Sequence, residues 1–359
     1  CYTYLGNMDE QLYCEAMTDN AYTKQPNDAT QNIGNGSYST ADPYVKKVWD
    51  GRYTGIRMCN ELLENIDRVP DLDPELKKRY IGEAKVLRAY NYYELYTKFG
   101  DVPYTTKVLS IKESMSIART AKATVIANVL ADLDEVINGN YLPTSYDADN
   151  KGRITRWAAM AIKAKIYLFE GNWTQVKNIT STIMTEGGFK LFGSYAGLFE
   201  IANEYNSEVI LDAQYRPTSR EHQMMYVFLP PTLGGYSQLS PLQELVDSYI
   251  MLDGKTIKET GTSFDESHPY ANRDPRLKAT VMYTGNSYTL ADGTEVVINC
   301  EKGEGKDGYG VGSDCSATGY YIKKYWDNTY RATLYSGLNP ILIRYADILL
   351  MNAEALAEL

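Results

Sequence analysis

Apolar and polar positions alternate with helical spacing over much of the chain, and the pattern is clearest before residue 100. Apolar side chains from Ile81 through Leu87 to Tyr96 form a wide stripe that suits packing on a second helix. This helix is predicted to end at Gly100, because glycine tolerates the left-handed backbone that closes a helix. Pro103 follows shortly afterwards and cannot continue it.

The same spacing recurs on both sides, so that the chain reads as pairs of helices after residue 45. The predicted helices span 44–68, 75–99, 123–138, 155–170 and 173–185, and a similar helix returns at 343–356. The segment from Trp157 to Trp173 has small residues where two helices approach and a turn at Gly171-Asn172, and it resembles a tetratricopeptide unit. The predicted fold class is therefore mainly α, with a tetratricopeptide-type scaffold of helix pairs.

A long insertion, residues 196–340, separates the last of these helices from the others. It is rich in Gly, Pro and Tyr, has short β-like runs at 208–213 and 295–299, and contains one predicted helix at 241–250. Irregular segments carried by a rigid scaffold often hold binding groups. We therefore interpret 1–195 as scaffold with an N-terminal loop region, 196–340 as a loop-rich, ligand-facing insertion, and 341–359 as the returning helix of a single domain.

The net charge argues against one class of partner, and the cysteines leave one disulfide bridge possible. The 36 Lys and Arg against 46 Asp and Glu give a net charge of -10, which argues against nucleic acid. Cys300 and Cys315 bracket a glycine-rich loop and can bridge in an oxidising compartment or remain free. The chain starts without Met and stops inside a helical run, so we expect a fragment that is truncated at both ends.

An ordered series of short motifs covers nearly the whole chain. The motifs are Thr18-Asp19-Asn20, Trp49 with Tyr53 and Asn60, Gly82-Glu83-Ala84, Phe99-Gly100-Asp101, Gly152-Arg153, Glu208-Val209-Ile210, Asn272-Arg273-Asp274-Pro275-Arg276, Tyr320-Tyr321-Ile322 and Ile343-Arg344-Tyr345-Ala346-Asp347. In this order they resemble the SusD/RagB family, glycan-binding outer-membrane lipoproteins of Bacteroidota that pair with a TonB-dependent transporter.

The resemblance implies a protein without catalytic activity that binds oligosaccharide at the outer cell surface and delivers it to a SusC-like TonB-dependent transporter. It also implies a lipid anchor, which we expect to be absent from this fragment, because Cys1 lacks the family's signal-peptide context. Two alternatives remain open at this point. The same architecture captures peptides or glycopeptides in some relatives, and an interrupted helical repeat can also serve as a protein-interaction adaptor.

Tyrosine is the residue type that points to a sugar ligand. The chain has 32 Tyr against 7 Phe, so many rings are expected to keep a hydroxyl in water. Family members carry a stacking aromatic in the loop before a Pro-led helix, where Tyr236 matches and Tyr226 and Phe228 match more loosely. These rings are either ligand contacts or packing residues of the loop.

The segment after Thr18-Asp19-Asn20 carries binding groups in relatives. Here it points to Tyr22, Lys24 and Gln25, and because starch-binding relatives have Trp in this segment, a starch ligand is in doubt. Trp326, close to Tyr330, is a further candidate that reads equally well as a lid on the core.

Catalytic and metal-binding signals are weak. The only histidines are His222 and His268, and no metalloprotease, nucleophile-elbow or phosphate-loop motif is present, so we predict no enzyme and no cofactor. Glycosidase carboxylate pairs depend on the fold rather than on sequence spacing, so the sequence leaves them open. One loop offers oxygen ligands that can hold calcium or can simply be solvated. Its acidic residues are Glu301, Glu304, Asp307 and Asp314.

Overall fold

Helices dominate the part of the chain that the computed structural model describes, residues 1–24, 30–330 and 334–359. The α-helices are α1 (Met8–Tyr13), α2 (Thr30–Gly34), α3 (Pro43–Asn65), α4 (Pro74–Phe99), α5 (Ile111–Ser114), α6 (Lys122–Asn138), α7 (Arg156–Phe169), α8 (Trp173–Glu186), α9 (Met224–Phe228), α10 (Gln243–Ser248), α11 (Pro275–Thr280) and α12 (Tyr345–Glu358). The strands are β1 (Ala21–Thr23), β2 (Val209–Asp212), β3 (Leu239–Pro241), β4 (Val281–Met282), β5 (Ser287–Thr289), β6 (Glu295–Val297), β7 (Tyr321–Ile322) and β8 (Ile341–Arg344).

The long helices begin and end where the local chemistry directs. Asp42 caps α3 and Asp73 caps α4, each accepting a backbone N–H, at 3.1 and 2.8 Å. A proline follows each cap in the first turn, where a missing N–H costs nothing. The predicted end of α4 is confirmed, because Gly100 has φ of +68° and its N–H donates to Tyr96 O at 3.0 Å.

The scaffold helices pack in chain order. α3 contacts α4, α4 contacts α6, α6 contacts α7 and α7 contacts α8, and after the insertion α12 returns onto α8. Their apolar stripes share one core, in which Leu87, Tyr96 and Ile162 are almost fully buried. The predicted mainly α, tetratricopeptide-type scaffold is confirmed. None of the described helices combines the length and the apolar character needed to cross a membrane.

The insertion and the N-terminal helix α1 together form a second apolar core. Met8 and Leu12 of α1 pack there with Phe228, Tyr321 and Trp326. The predicted helix at 241–250 is shorter, Gln243–Ser248, and the run at 295–299 forms only the strand Glu295–Val297.

The two cysteines of the insertion do not form a bridge. Cys300 and Cys315 are both free and buried, and the Cys315 thiol donates to Lys306 O at 3.3 Å. Burial raises the pKa of the Cys300 thiol to about 12, which disfavours the reactive thiolate.

One antiparallel ribbon joins the first part of the insertion to the strand that follows its end. In this ribbon β2 pairs with β8, and Val209 lies opposite Arg344. Beside it the Glu208 carboxylate is buried and accepts Arg344 Nη1 at 2.7 Å and Phe192 N at 2.7 Å. Glu208 O also accepts Tyr345 N at 2.8 Å, so one residue holds three backbone segments together. We call this arrangement the Glu208 clamp.

A second polar cluster lies at the other end of the same ribbon. Asn339 N donates to Glu204 Oε1 at 2.7 Å, and Asn339 Nδ2 donates to Asp212 Oδ2 at 3.3 Å. Burial raises the pKa of Glu204 to about 7 and that of Asp212 to about 6. A carboxyl whose pKa is raised by folding stabilises the protein below its unfolded pKa, and this contribution is lost as the pH rises through the folded pKa.

The Glu208 clamp can be tested by replacing Arg344 with Met, which leaves the Glu208 carboxylate buried. We expect the free energy of unfolding to fall by about 3 kcal/mol, because a buried charge without its partner is not compensated. Urea denaturation measures the change. Lys46→Met is the control, because the Lys46–Asp50 pair is exposed and its loss costs at most about 0.5 kcal/mol. Equal losses in the two variants would contradict the clamp.

The Glu204 cluster makes stability depend on pH. Because the pKa of Glu204 rises on folding from 4.5 to about 7, its contribution declines across that interval. Glu204→Gln mimics the protonated acid, so we expect this variant to gain stability relative to the parent as the pH rises from about 5 to about 8. Thermal unfolding at several pH values measures the difference. Glu61→Gln, on an exposed helix face, controls for the lost charge, and a pH-independent difference for Glu204→Gln would refute the assignment.

Candidate functional site

A sharp reversal of the chain after α9 brings Tyr236 back onto Tyr226. Gly234 has φ of +88°, a conformation that favours glycine. At Gly235 a Cβ atom would lie 2.1 Å from Leu229 O, so only glycine fits there. Tyr236 N then donates to Tyr226 O at 2.7 Å, which fixes one tyrosine beside the other.

The two rings form a stacked pair, which we call the tyrosine pair. Their centroids are 5.5 Å apart and their planes differ by 18°. Tyr236 is 45% exposed, whereas Tyr226 is half-buried beneath it. Neither hydroxyl has a hydrogen bond to any residue that the structure describes. The pair therefore presents a flat aromatic face together with hydroxyl groups that can still donate and accept.

The N-terminal candidates reach this loop through a strand pairing. β1 runs antiparallel to β3 with Tyr22 opposite Ser240, and Lys24 N donates to Gln238 O at 3.0 Å. The Lys24 ammonium donates to the backbone carbonyls of Cys315, at 2.8 Å, and Ser313. Burial lowers the pKa of Lys24. Lys24 thus ties the glycine-rich loop to β3, and ligand contacts by Tyr22 and Lys24 stay a prediction.

An open groove of about 500 Å³ runs along the same loop. Pro231 to Gly234 form one wall, and the remainder is lined by Ala291 and by the polar side chains of Asp292, Lys306, Asn328 and Thr329. Asp307 Oδ1 accepts Thr232 N at 2.7 Å, which holds this wall against the glycine-rich loop. The groove includes Gly234, two residues before Tyr236 in the chain, and supplies hydrogen-bonding groups along the same loop. No pattern along the chain predicts this groove, because its residues come from four separate segments.

Two aromatic residues predicted to contact the ligand are buried in the structure. Phe228 is completely buried in the core of the insertion, because α9 turns it inward. Trp326 is also buried and packs edge-on against Tyr288 with centroids 5.2 Å apart. Neither ring can stack on a surface ligand in this structure, so these two assignments are wrong. Gln25 and the side chain of Tyr330 lie outside the described residues.

The acidic residues of the glycine-rich loop do not converge. Among the described residues, no group of three His, Cys, Asp or Glu side chains is placed to hold a metal ion. Asp307 is buried and bonded to Thr232, and Glu304 Oε2 accepts Asn299 Nδ2 at 3.4 Å. Glu301 and Asp314 are exposed. Calcium binding by this loop therefore stays a prediction without a formed site.

The charged side chains of the loop at Arg273 have structural roles. Asp274 caps α11 and pairs with Arg276 Nη2 at 2.6 Å. Arg273 is buried and donates to the carbonyls of Val246, Tyr249 and Pro269. These charges hold loops together and are not available for chemistry.

Two protein-family models match this chain, and together they cover most of its length. Residues 198–359 match a family model described as the SusD family, and residues 3–168 match one described as starch-binding associating with outer membrane. SusD-like protein P25 from Formosa agariphila is 32% identical over 212 residues, which cover 57% of this chain and 40% of that relative. The chain spans less than two thirds of the length of the curated relatives it matches.

Solved structures share the fold. A SusD-like carbohydrate binding protein from Bacteroides fragilis has a TM-score of 0.85 and 25% identity, covering 97% of this chain and 68% of that chain. Surface glycan-binding protein A from Bacteroides thetaiotaomicron, in complex with laminarihexaose, has a TM-score of 0.72 at 17% identity, covering 99% of this chain and 76% of that chain. The two family matches together leave out only residues 1–2 and 169–197. The chain belongs to the SusD/RagB family.

Proposed function

We propose that this chain binds oligosaccharide without cleaving it, at the outer surface of the cell, and passes it to a partner TonB-dependent outer-membrane transporter. The observation that carries the binding proposal is the tyrosine pair, whose outer ring is exposed beside a polar groove. The flat C–H face of a sugar packs on such a ring, while its hydroxyls need nearby donors and acceptors.

The relatives support this proposal at different levels. The Bacteroides fragilis structure is named a carbohydrate binding protein, and one matching family model is described as associating with the outer membrane. The transporter partner and the lipid anchor rest on the family resemblance. We extend both to this chain as part of the proposal.

The acids near the site favour binding over cleavage. A glycosidase needs two carboxyl groups that flank the scissile bond. Among the described residues Asp292 is the one carboxylate that lines the groove, because Asp307 beside it is buried and accepts the Thr232 N–H, so no flanking pair of acids is seen there. Glu204 and Asp212, whose pKa values are raised, are bonded to Asn339 at the base of the insertion and do not line this groove.

Tyr236→Ala tests the proposed site. Laminarihexaose is the first probe, within a panel of neutral oligosaccharides, because a structure of the same fold contains it. We expect the dissociation constant to rise at least about tenfold, a loss of about 1.4 kcal/mol that matches removal of a stacking ring. Tyr236→Phe keeps the ring and should stay close to the parent. Isothermal titration calorimetry measures each affinity.

Tyr205→Ala is the matched control, because Tyr205 is similarly exposed but lies beside Lys151, away from the tyrosine pair. Incubation of the parent with each bound sugar should release no reducing ends. A Tyr236→Ala variant that binds as tightly as the parent would remove the site assignment. A parent that binds a peptide panel and no sugar would remove the proposed ligand class.

A further inference from the structure

A separate cavity of about 400 Å³ lies where three parts of the chain meet. The N-terminal segment contributes Glu15 and Asn20, the insertion contributes Lys324, and the returning scaffold contributes Arg344 and Asp347. Neither member of the tyrosine pair lines this space. Its volume lies within the range of small-molecule sites in proteins. We call it the junction cavity.

Aromatic rings surround the Lys324 ammonium in this cavity. The Lys324 ammonium lies 4.1 Å from the centroid of the Phe199 ring and 5.9 Å from those of Tyr195 and Tyr325. All three rings line the junction cavity, and Tyr249 lines it as well. Phe199 and Tyr325 are buried and hold the ammonium in place through cation–π attraction, whereas the half-buried Tyr195 and Tyr249 can also offer apolar faces to a ligand.

Lys324 is half-buried, yet its ammonium has no hydrogen bond or ion pair with any residue that the structure describes. The other charged groups of the cavity have partners. Arg344 pairs with Glu208 at 2.7 Å, Glu15 accepts Asn20 Nδ2 at 2.7 Å, and Asp347 accepts Arg344 N at 2.8 Å. A partly desolvated cation without a counter-ion gains most from an anionic ligand.

We propose that the junction cavity is a second ligand site that takes an acidic monosaccharide. The carboxylate of the sugar binds Lys324, and one face of its ring packs against the half-buried side chains of Tyr195 and Tyr249. Its hydroxyls donate to the carboxylates of Glu15 and Asp347, which are negatively charged and only accept hydrogen bonds. This site goes beyond the proposed oligosaccharide function and does not depend on it.

The probes are D-glucuronate and D-glucose, which differ mainly in the carboxylate. Calorimetry on the full chain should show glucuronate binding at least about tenfold more tightly than glucose. Lys324→Met should remove that difference and Lys324→Arg should keep it, because Arg keeps the positive charge and can also lie against aromatic rings. Lys323→Met is the matched control, because Lys323 lies over Trp326, at 4.4 Å from its ring centroid, and does not line the cavity.

Tyr236→Ala separates the two sites. It should leave glucuronate affinity unchanged, and Lys324→Met should leave neutral oligosaccharide affinity unchanged. The proposal is overturned if the parent does not bind glucuronate, if it binds glucose equally well, or if Tyr236→Ala abolishes glucuronate binding. Tighter binding of L-glutamate than of glucuronate would replace the sugar by an amino acid and also overturn it. If Lys324→Met does not fold by circular dichroism, Lys324→Arg and the glucose comparison decide.

Discussion

The arrangement of the whole chain depends on the interaction of the buried Glu208 carboxylate with Arg344. A charge at that depth is tolerated only when its oxygens are satisfied, and here Arg344 and the Phe192 N–H satisfy them. Glu208 lies in the first part of the insertion, directly before β2, and Arg344 lies just after its end, at the end of β8. The ends of a long, irregular segment are therefore fixed next to each other, and its loops project from a defined base.

The two apolar cores position different parts of the chain. The helical core aligns α3, α4, α6, α7, α8 and α12, and it contributes no residue to the tyrosine pair or its groove. The core of the insertion holds α9 and the strand β3, and β1 of the N-terminal segment pairs with β3. The exposed face of Tyr236 thus results from a rigid surrounding in which Gly234 and Gly235 allow a reversal that other residues would block. Pre-organised rings lose little entropy when a ligand binds.

The helices could be predicted because their information is local: apolar spacing, an Asp cap followed by Pro, and Gly100 at the end of α4. The site could be predicted only in part. Loop composition and the family resemblance indicated Tyr236 as a candidate, but they could not separate its exposed ring from buried Phe228 and Trp326, since Gly-rich and Pro-rich segments turn their aromatics either way. The pairing of β1 with β3 and the junction cavity join residues that are distant in sequence, so no pattern along the chain announces them.

The central claim is that the scaffold and the clamp present the tyrosine pair as the surface on which a sugar ring lies. A crystal structure of this chain with the oligosaccharide that binds it most tightly tests the claim directly. We expect a pyranose ring to lie parallel to the exposed face of Tyr236, in van der Waals contact at about 4 Å, with its hydroxyls toward the groove beside Thr232. A sugar bound elsewhere on the chain, with Tyr236 free of contact, would contradict the account.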